Sequence, residues 1–171
     1  VPIGDRYLFS ATDGLEGREV WSVDTEQQVS LVANVWSQRH NEALFSLAAV
    51  GDTLVVGWED ALHGSELWTT GPAGPLTLLK DIRPGPESSS PTMPVDVNGI
   101  GYFTAVTDST GRELWRTDGT PAGTAMVEDM TPGESGTYFG DLTVAGNRLY
   151  FDAHIGGETY TQLYARSSVT G

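Results

Sequence analysis

The feature that most constrains the fold is a five-residue phrase that recurs along the chain. Three copies of the pattern Gly-x-Glu-(Val or Leu)-Trp end at Trp21, Trp68 and Trp115, each 47 residues after the last. A sequence period of roughly 20–50 residues indicates a solenoid, a propeller or another repeat array, in which each period forms one structural unit. The repeat therefore constrains the architecture more strongly than any single residue of the chain.

Each repeat unit has the sequence pattern of four short β-strands. In the third unit, Val95–Val97 and Ile100–Ala105 flank the hairpin turn Asn98-Gly99, and Glu113–Thr117 and Thr124–Asp129 follow. The strands predicted elsewhere are residues 1–3, Tyr7–Ser10, Arg18–Val23 and Gln28–Ala33 in the first unit, Phe45–Val50, Thr53–Trp58, Ser65–Thr70 and Pro75–Lys80 in the second, and Leu142–Val144, Arg148–Asp152 and Gln162–Tyr164 in the fourth. No segment has a clear helical period.

Four strands per period of about 47 residues predict an all-β fold made of β-propeller blades, each with four antiparallel strands. We expect one domain over residues 1–171, with units at about 1–37, 38–84, 85–132 and 133–171, the first and last incomplete. A β-solenoid is the structural alternative. The chain covers about 3.6 periods, so the ring is either small and imperfectly closed, part of a larger propeller, or completed by a second copy.

Residues 111–124 read Gly-Arg-Glu-Leu-Trp-Arg-Thr-Asp-Gly-Thr-Pro-Ala-Gly-Thr. This stretch resembles the ELWxxDGT repeat of bacterial proteins. The resemblance implies a propeller-like fold in a secreted or cell-surface protein, hence an extracytoplasmic location, and it brings no catalytic residues. Other units depart from the pattern, since Asp24-Thr25-Glu26 and Gly71-Pro72-Ala73 replace Asp-Gly-Thr, and Gln162-Leu163-Tyr164 replaces Glu-Leu-Trp.

The composition narrows the range of partners. The formal net charge is −14, and such an acidic chain repels nucleic acid and anionic membranes. The absence of cysteine excludes disulfides and thiolate metal sites. No apolar run is long enough to span a bilayer, so we expect no membrane span. The chain begins Val-Pro-Ile-Gly, without Met or a signal peptide, which indicates a mature or trimmed N-terminus.

The residues that recur in the phrase are predicted to be structural. We expect each Trp to pack between neighbouring blades and each Glu, on the same strand face as its Trp, to accept hydrogen bonds from a neighbouring loop or an arginine. The Asp118-Gly119 pair is typical of a turn. The structural repeat residues are Glu19, Trp21, Glu66, Trp68, Glu113, Trp115, Asp118 and Gly119.

A calcium ion is the only cofactor for which the sequence offers candidates. Acidic side chains precede the third strand of each of the first three units, and oxygen-rich loops can hold Ca²⁺. The candidates are Asp13, Glu16, Asp60 and Asp108. No EF-hand pattern is present, and turn formation explains the same residues. The three histidines share no repeat position, which disfavours a zinc site.

Three functions remain open from the sequence. The first is a non-catalytic binding or scaffold module, which contacts a protein or glycan ligand through Ala11–Glu16, Glu59–His63, Ala105–Thr110 and Ala153–Thr159. The second is a glycan-active hydrolase or lyase, for which Asp152 and His154 are the only local candidates. The third is a structural subunit whose open edges pair with other protein chains.

Overall fold

A computed structural model describes residues 1–14, 18–33, 43–70, 76–155 and 162–167. These residues are all-β: they contain sixteen strands and no helix, and the strands form four antiparallel sheets of four. Over the same ranges no helix is long and apolar enough to cross a membrane. The all-β fold class predicted from the sequence is therefore confirmed.

The sheets, numbered 1 to 4, follow one another along the chain. Sheet 1 contains β1 (Pro2–Ile3), β2 (Arg6–Ala11), β3 (Glu19–Val23) and β4 (Val29–Ala33). Sheet 2 contains β5 (Ala43–Val50), β6 (Thr53–Asp60), β7 (Gly64–Thr70) and β8 (Thr77–Leu78). Sheet 3 contains β9 (Val95–Val97), β10 (Ile100–Thr107), β11 (Gly111–Thr117) and β12 (Ala125–Glu128). Sheet 4 contains β13 (Tyr138–Phe139), β14 (Thr143–Ala145), β15 (Arg148–His154) and β16 (Gln162–Ser167).

Strand order follows chain order in sheets 1 to 3 but not in sheet 4. There, Ala153 pairs with both β13 and β16, and Tyr150 pairs with both β14 and β16. Because a strand has two edges, β13 and β14 share one edge of β15 and β16 lies on the other. They are two pieces of one leading strand, so sheet 4 has three strand positions among the described residues.

Tight turns join the first two strands of each sheet. The turns predicted at Gly51-Asp52 and Asn98-Gly99 lie between the pairs Val50↔Thr53 and Val97↔Ile100. Asn98 and Gly99 both have positive φ, 54° and 83°, which is the backbone that a two-residue hairpin needs. These turns fix the strand register, and therefore which side chains face which neighbour.

The hydrophobic core lies between neighbouring sheets. Alternate residues of β6 serve opposite interfaces, since Leu54 and Val56 pack with Leu8 of sheet 1, whereas Val55 packs with Phe103 of sheet 3. Sheet 3 in turn packs against sheet 4 through a cluster that includes Leu114. Each inner sheet thus gives one face to the preceding sheet and the other to the following sheet. The leading strands also meet, because β9 contacts both β5 and β14.

The two end sheets each leave one face uncovered in the described chain. The outer face of sheet 1, called the first-sheet face, carries Tyr7, Phe9, Trp21, Val29 and Leu31. Tyr7 is 63% exposed, although its counterpart in sheet 2, Leu54, is 4% exposed. On the outer face of sheet 4, Leu163 is 77% exposed, whereas its counterpart Leu114 is fully buried.

Candidate functional site

The glutamates of the repeated phrase hold the chain segments that lead from one sheet to the next. Glu113, on β11, is fully buried. Its Oε2 accepts from the backbone N–H of Met130 (3.0 Å), and the Thr137 hydroxyl donates to both carboxylate oxygens (3.0 and 3.2 Å). These partners lie on segment 129–137, which joins β12 to sheet 4. The Glu113 carboxylate therefore holds segment 129–137 next to the start of β11 through hydrogen bonds.

Glu66, on β7, makes the equivalent contacts. It is fully buried, its Oε1 accepts from the backbone N–H of Arg83 (3.2 Å), and its Oε2 accepts from the Ser89 hydroxyl (2.7 Å). Segment 81–89, which carries both donors, joins β8 to sheet 3. Ser89 also accepts, through its carbonyl oxygen, from the Val106 N–H of sheet 3 (2.8 Å). One residue thus bonds to both neighbouring sheets.

The glycine of the phrase provides room for the same segments. Gly64 and Gly111 have positive φ, 61° and 66°. A Cβ on Gly111 would lie within 3 Å of the backbone of Glu134 and Gly136, and a Cβ on Gly64 would meet residues 86–88 equally closely. The positive φ disfavours any residue with a side chain, and the short distance to the neighbouring backbone leaves no room for a Cβ. The sequence pattern shows the glycine, but its role depends on a segment about 23 residues away.

Burial raises the pKa of Glu66 to about 7. Hydrogen bonds from Ser89 and the backbone of segment 81–89 favour the ionised form and oppose this rise, whereas the charge of Asp81 adds to it. Burial also raises the pKa of Glu113, with hydrogen bonds from segment 129–137 opposing the rise and Asp129 adding to it. This arrangement fits structural carboxylates that recur in sheets 2 and 3.

The tryptophans of the phrase occupy different environments. Trp115 is buried and stacks on Phe103 (ring centroids 6.5 Å apart) between sheets 2 and 3. Trp68 packs in the cluster between sheets 1 and 2, and its ring makes a T-shaped contact with that of His63. Trp21 is half-buried on the first-sheet face, where its indole N–H donates to Glu19 (3.4 Å). Glu19 is buried on β3.

The predicted calcium candidates are engaged in separate contacts. Asp60 accepts from the backbone N–H groups of Leu62 and His63 (2.8 and 2.7 Å) and pairs with the His63 ring (2.9 Å). Burial opposes ionisation of Asp60, but these hydrogen bonds outweigh it and lower the pKa. Asp108 pairs with Arg83 (Nε–Oδ1 2.6 Å).

Asp13 is exposed in the loop that follows β2, and Glu16 lies outside the described residues. No group of three or more His, Asp or Glu side chains suited to a metal ion occurs within residues 1–14, 18–33, 43–70, 76–155 and 162–167. Calcium binding stays a prediction.

Asp118 and Gly119 lie in the connection between β11 and β12. Asp118 Oδ1 accepts from the backbone N–H and the hydroxyl of Thr120 (2.9 and 2.6 Å). The Thr120 hydroxyl bond contributes most to a lowered pKa of Asp118. Gly119 has φ 85°, and a Cβ there would strike Thr53 of sheet 2. This turn therefore touches the neighbouring sheet.

A cleft of about 530 Å³ opens between sheets 3 and 4. Its walls are Ser90, Thr92, Thr104, Arg112, Ser135, Gly136, Thr137, Tyr138, Phe139, Gly140, Leu142 and His154. Tyr138 is 72% exposed on β13, and Arg112 on β11 is half-buried. Burial lowers the pKa of the Arg112 guanidinium, although arginine remains charged in proteins. The walls of the cleft thus contain a cation, hydroxyl-bearing residues and an aromatic residue. The sequence pattern did not indicate that these residues lie together.

The two residues considered for catalysis do not act as a pair. His154 lines the cleft at the end of β15, whereas the Asp152 carboxylate lies against Gly140. No hydrogen bond joins Asp152 to His154 in the described part of the chain. This geometry gives no support for general acid–base catalysis by these two groups.

Comparison with protein-family models and with curated proteins gave no match to the chain. The resemblance to the ELWxxDGT repeat, which depends on residues 111–124, stays a prediction.

Proposed function

We propose that the chain is a non-catalytic β-propeller module that binds or scaffolds other molecules and is completed by another sheet of the same repeat. In this proposal the four sheets are blades, and a second copy supplies the completing sheet for the 171-residue chain. The resemblance of residues 111–124 to a repeat of secreted and surface bacterial proteins supports an extracytoplasmic location.

The observation that carries the proposal is the uncovered first-sheet face. In sheets 2 and 3 the equivalent faces carry Trp68 and Trp115 and are covered by the preceding sheet. Trp21 lies at the same position of sheet 1 and has no sheet over it among the described residues. Contiguous apolar side chains on a sheet face mark an interaction surface. A sheet of the same repeat has the matching shape, since this chain packs such sheets face to face repeatedly.

Two further features support blades rather than unrelated sheets. The turns between the first two strands of each sheet begin at Gly4, Gly51, Asn98 and Gly146, which are 47, 47 and 48 residues apart. The leading strands of sheets 2, 3 and 4 also contact one another, as expected where the inner strands of blades surround an axis.

The ligand-binding part of the proposal concerns the loops between the second and third strands. In each sheet these loops lie at the end opposite the tight turns, because successive strands run antiparallel. Asp60 is the last residue of β6, His63 belongs to the loop that follows it, and Asp108 belongs to the corresponding loop of sheet 3. Loops that share one end of stacked sheets form a common surface on which several blades can contact one ligand.

The experiment is sedimentation analysis of the chain from about 1 µM to about 100 µM. We expect the mass of the wild type to rise with concentration above the 18.3 kDa monomer. The double variant Phe9→Ser/Leu31→Ser removes two exposed side chains from the first-sheet face and should stay monomeric. A wild type that remains monomeric throughout contradicts completion by a second copy.

The matched control is Leu62→Ser. Leu62 is 69% exposed, so it is a large apolar side chain as accessible as those of the face, but it lies in the loop between β6 and β7. This variant should associate like the wild type. If Leu62→Ser and the double variant weaken association equally, general surface hydrophobicity rather than the first-sheet face drives it.

A further inference from the structure

The cleft between sheets 3 and 4 has an unusual charge for this protein. The chain contains 23 acidic side chains, yet none of them lines the described walls of the cleft. Arg112 is the only side chain there with a permanent positive charge. The residues that line the cleft thus include one permanent cation and no carboxylate, on a protein with a net charge of −14.

Arg112 is held in place without a carboxylate. Its Nη1 donates to the carbonyl oxygen of Ser90 (3.1 Å) and to Thr104 Oγ1 (3.0 Å). Within the described ranges no ion pair includes Arg112, and no hydrogen bond is made by its Nη2 or Nε. Half-burying a cation without a counter-charge is unfavourable, and an incoming anion would offset that cost.

The backbone at Ser90 supports a fixed position for this arginine. Ser90 has φ 47°, a left-handed conformation that is uncommon for a residue with a side chain. Its carbonyl oxygen accepts one of the two Arg112 hydrogen bonds. Strained backbone of this kind concentrates at functional sites.

The fold does not require arginine at this position. Ser65 is the equivalent residue of sheet 2, where its hydroxyl donates to Glu59 (3.1 Å). Arg18 is the equivalent residue of sheet 1 and donates to Ser10, the counterpart of Thr104 (3.0 Å). Arg18 is exposed, whereas Arg112 faces the cleft. The arginine of sheet 3 is thus distinguished by its surroundings.

We propose that this cleft binds a carboxylated sugar, with Arg112 anchoring the carboxylate. The planar guanidinium matches the two oxygens of a carboxylate, and one cation is suited to one negative charge. Thr92, Thr104 and Ser135 are hydroxyl-bearing residues that line the same cleft, as residues that bind sugar hydroxyls would, and the exposed Tyr138 is an aromatic residue in its wall. All lining residues belong to one chain, so binding does not depend on assembly.

The experiment is calorimetric titration with glucuronate as the probe, with glucose, acetate and inorganic phosphate as comparisons. We expect glucuronate to bind with a dissociation constant below about 5 mM, at least about tenfold tighter than each comparison. Equal binding of phosphate or acetate overturns the sugar-acid specificity. Absence of glucuronate binding up to about 50 mM overturns the proposal.

The matched variants are Arg112→Ser and Arg18→Ser. The first installs the residue of sheet 2, so we expect the thermal midpoint to stay within about 3 °C of the wild type, and glucuronate binding to weaken at least about tenfold. The second removes the exposed counterpart and should bind glucuronate like the wild type. Unchanged binding in Arg112→Ser overturns the assignment of the anchor.

Two additional variants separate charge from geometry. Arg112→Lys keeps the positive charge but loses the planar fork, so glucuronate should bind about three- to tenfold more weakly than to the wild type. Tyr138→Ser removes the ring and should weaken glucuronate binding about threefold or more while leaving the acetate affinity unchanged. Full binding by both variants would show that the ligand does not sit between these two side chains.

Discussion

At the scale of single residues, the repeated phrase combines a glycine with a glutamate. The glycine leaves room for the backbone of the segment that leads to the next sheet, and the glutamate accepts hydrogen bonds from that segment. Glu66 and Glu113 are buried acids whose hydrogen-bond donors all come from the chain leading to the next sheet. A buried carboxylate without such donors would cost several kcal/mol, so the donors are part of what makes the position tolerable. In sheets 2 and 3 the repeated phrase therefore attaches each connecting segment to the sheet that precedes it.

The raised pKa of Glu66 predicts a dependence of stability on pH. Because the folded-state pKa is about 7 and the ordinary value is 4.5, the folded protein retains a proton that the unfolded chain releases between these values. The stability linked to this proton is full below pH 4.5 and is lost as the pH rises to about 7. We expect the thermal unfolding midpoint to fall across this window, and to fall less in Glu66→Gln.

Gln162 occupies the equivalent position in sheet 4, so the repeat itself contains an amide there. Glu26→Gln is the control, because Glu26 is exposed in the turn before β4 and the same change should leave the pH profile unaltered. Identical midpoints for wild type and Glu66→Gln at every pH would contradict a proton held at this carboxylate.

At the scale of elements, segment 129–137 packs so closely on β11 that a single methyl group should disturb it. Gly111→Ala places a Cβ on the backbone of Glu134 and Gly136 and also requires a left-handed alanine. We expect the free energy of unfolding to fall by about 3 kcal/mol, measured by urea denaturation followed by circular dichroism.

Gly146→Ala separates the two contributions. Gly146 has φ 62°, close to that of Gly111, but a Cβ there would meet nothing within 4 Å. In this variant the free energy of unfolding should fall only because of the left-handed backbone, by about 1 kcal/mol. Equal losses in the two variants would mean that the close approach at Gly111 contributes nothing.

The sequence predicted these elements well because strands and turns are local. Period-two alternation and turn pairs such as Asn98-Gly99 placed β9 at Val95–Val97 and most other strands within a few residues. The donors to Glu66 were not predictable, because Arg83 and Ser89 lie 17 and 23 residues away and contact it only through the path that segment 81–89 takes past β7. The cleft was missed for the same reason.

Two residues of the cleft differ from their counterparts in sheet 2. Arg112 stands where sheet 2 has Ser65, and Thr104 stands where β6 has Gly57. Both differences fall on the side of sheet 3 that faces sheet 4. Arginine recurs in sheet 1 as Arg18, which is exposed, so the sequence alone does not distinguish Arg112 from its counterpart. The difference is the cleft that Arg112 lines, and that cleft forms only when sheet 4 packs beside sheet 3.

At the scale of the whole molecule, the two uncovered faces belong to opposite ends of the stack. The first-sheet face carries Trp21, and the outer face of sheet 4 carries Leu163. A contact between these two different surfaces is heterologous, so it closes into a ring only if the rotation per copy permits, and otherwise continues as a filament. Finite complexes are therefore expected only where the rotation between successive copies closes the ring.

Net charge makes the proposed association sensitive to salt. Each copy has a formal charge of −14, so two copies repel each other at low ionic strength, whereas the faces that meet are apolar. We expect the association measured by sedimentation to strengthen at least about threefold between about 0.02 M and about 0.3 M NaCl. Weaker association at high salt would indicate that ion pairs hold the copies together.

Ser89 has a consequence for how the molecule comes apart. Its hydroxyl is bonded to Glu66 of sheet 2 and its carbonyl oxygen to the Val106 amide of sheet 3. If sheet 3 separates from sheet 2 together with Ser89, the Glu66 carboxyl group loses its hydrogen bond from the Ser89 hydroxyl. Exposure of Glu66 to water then favours its ionised form. Local opening at this seam is thereby coupled to loss of structure on both sides, which makes the two sheets a single cooperative unit in unfolding.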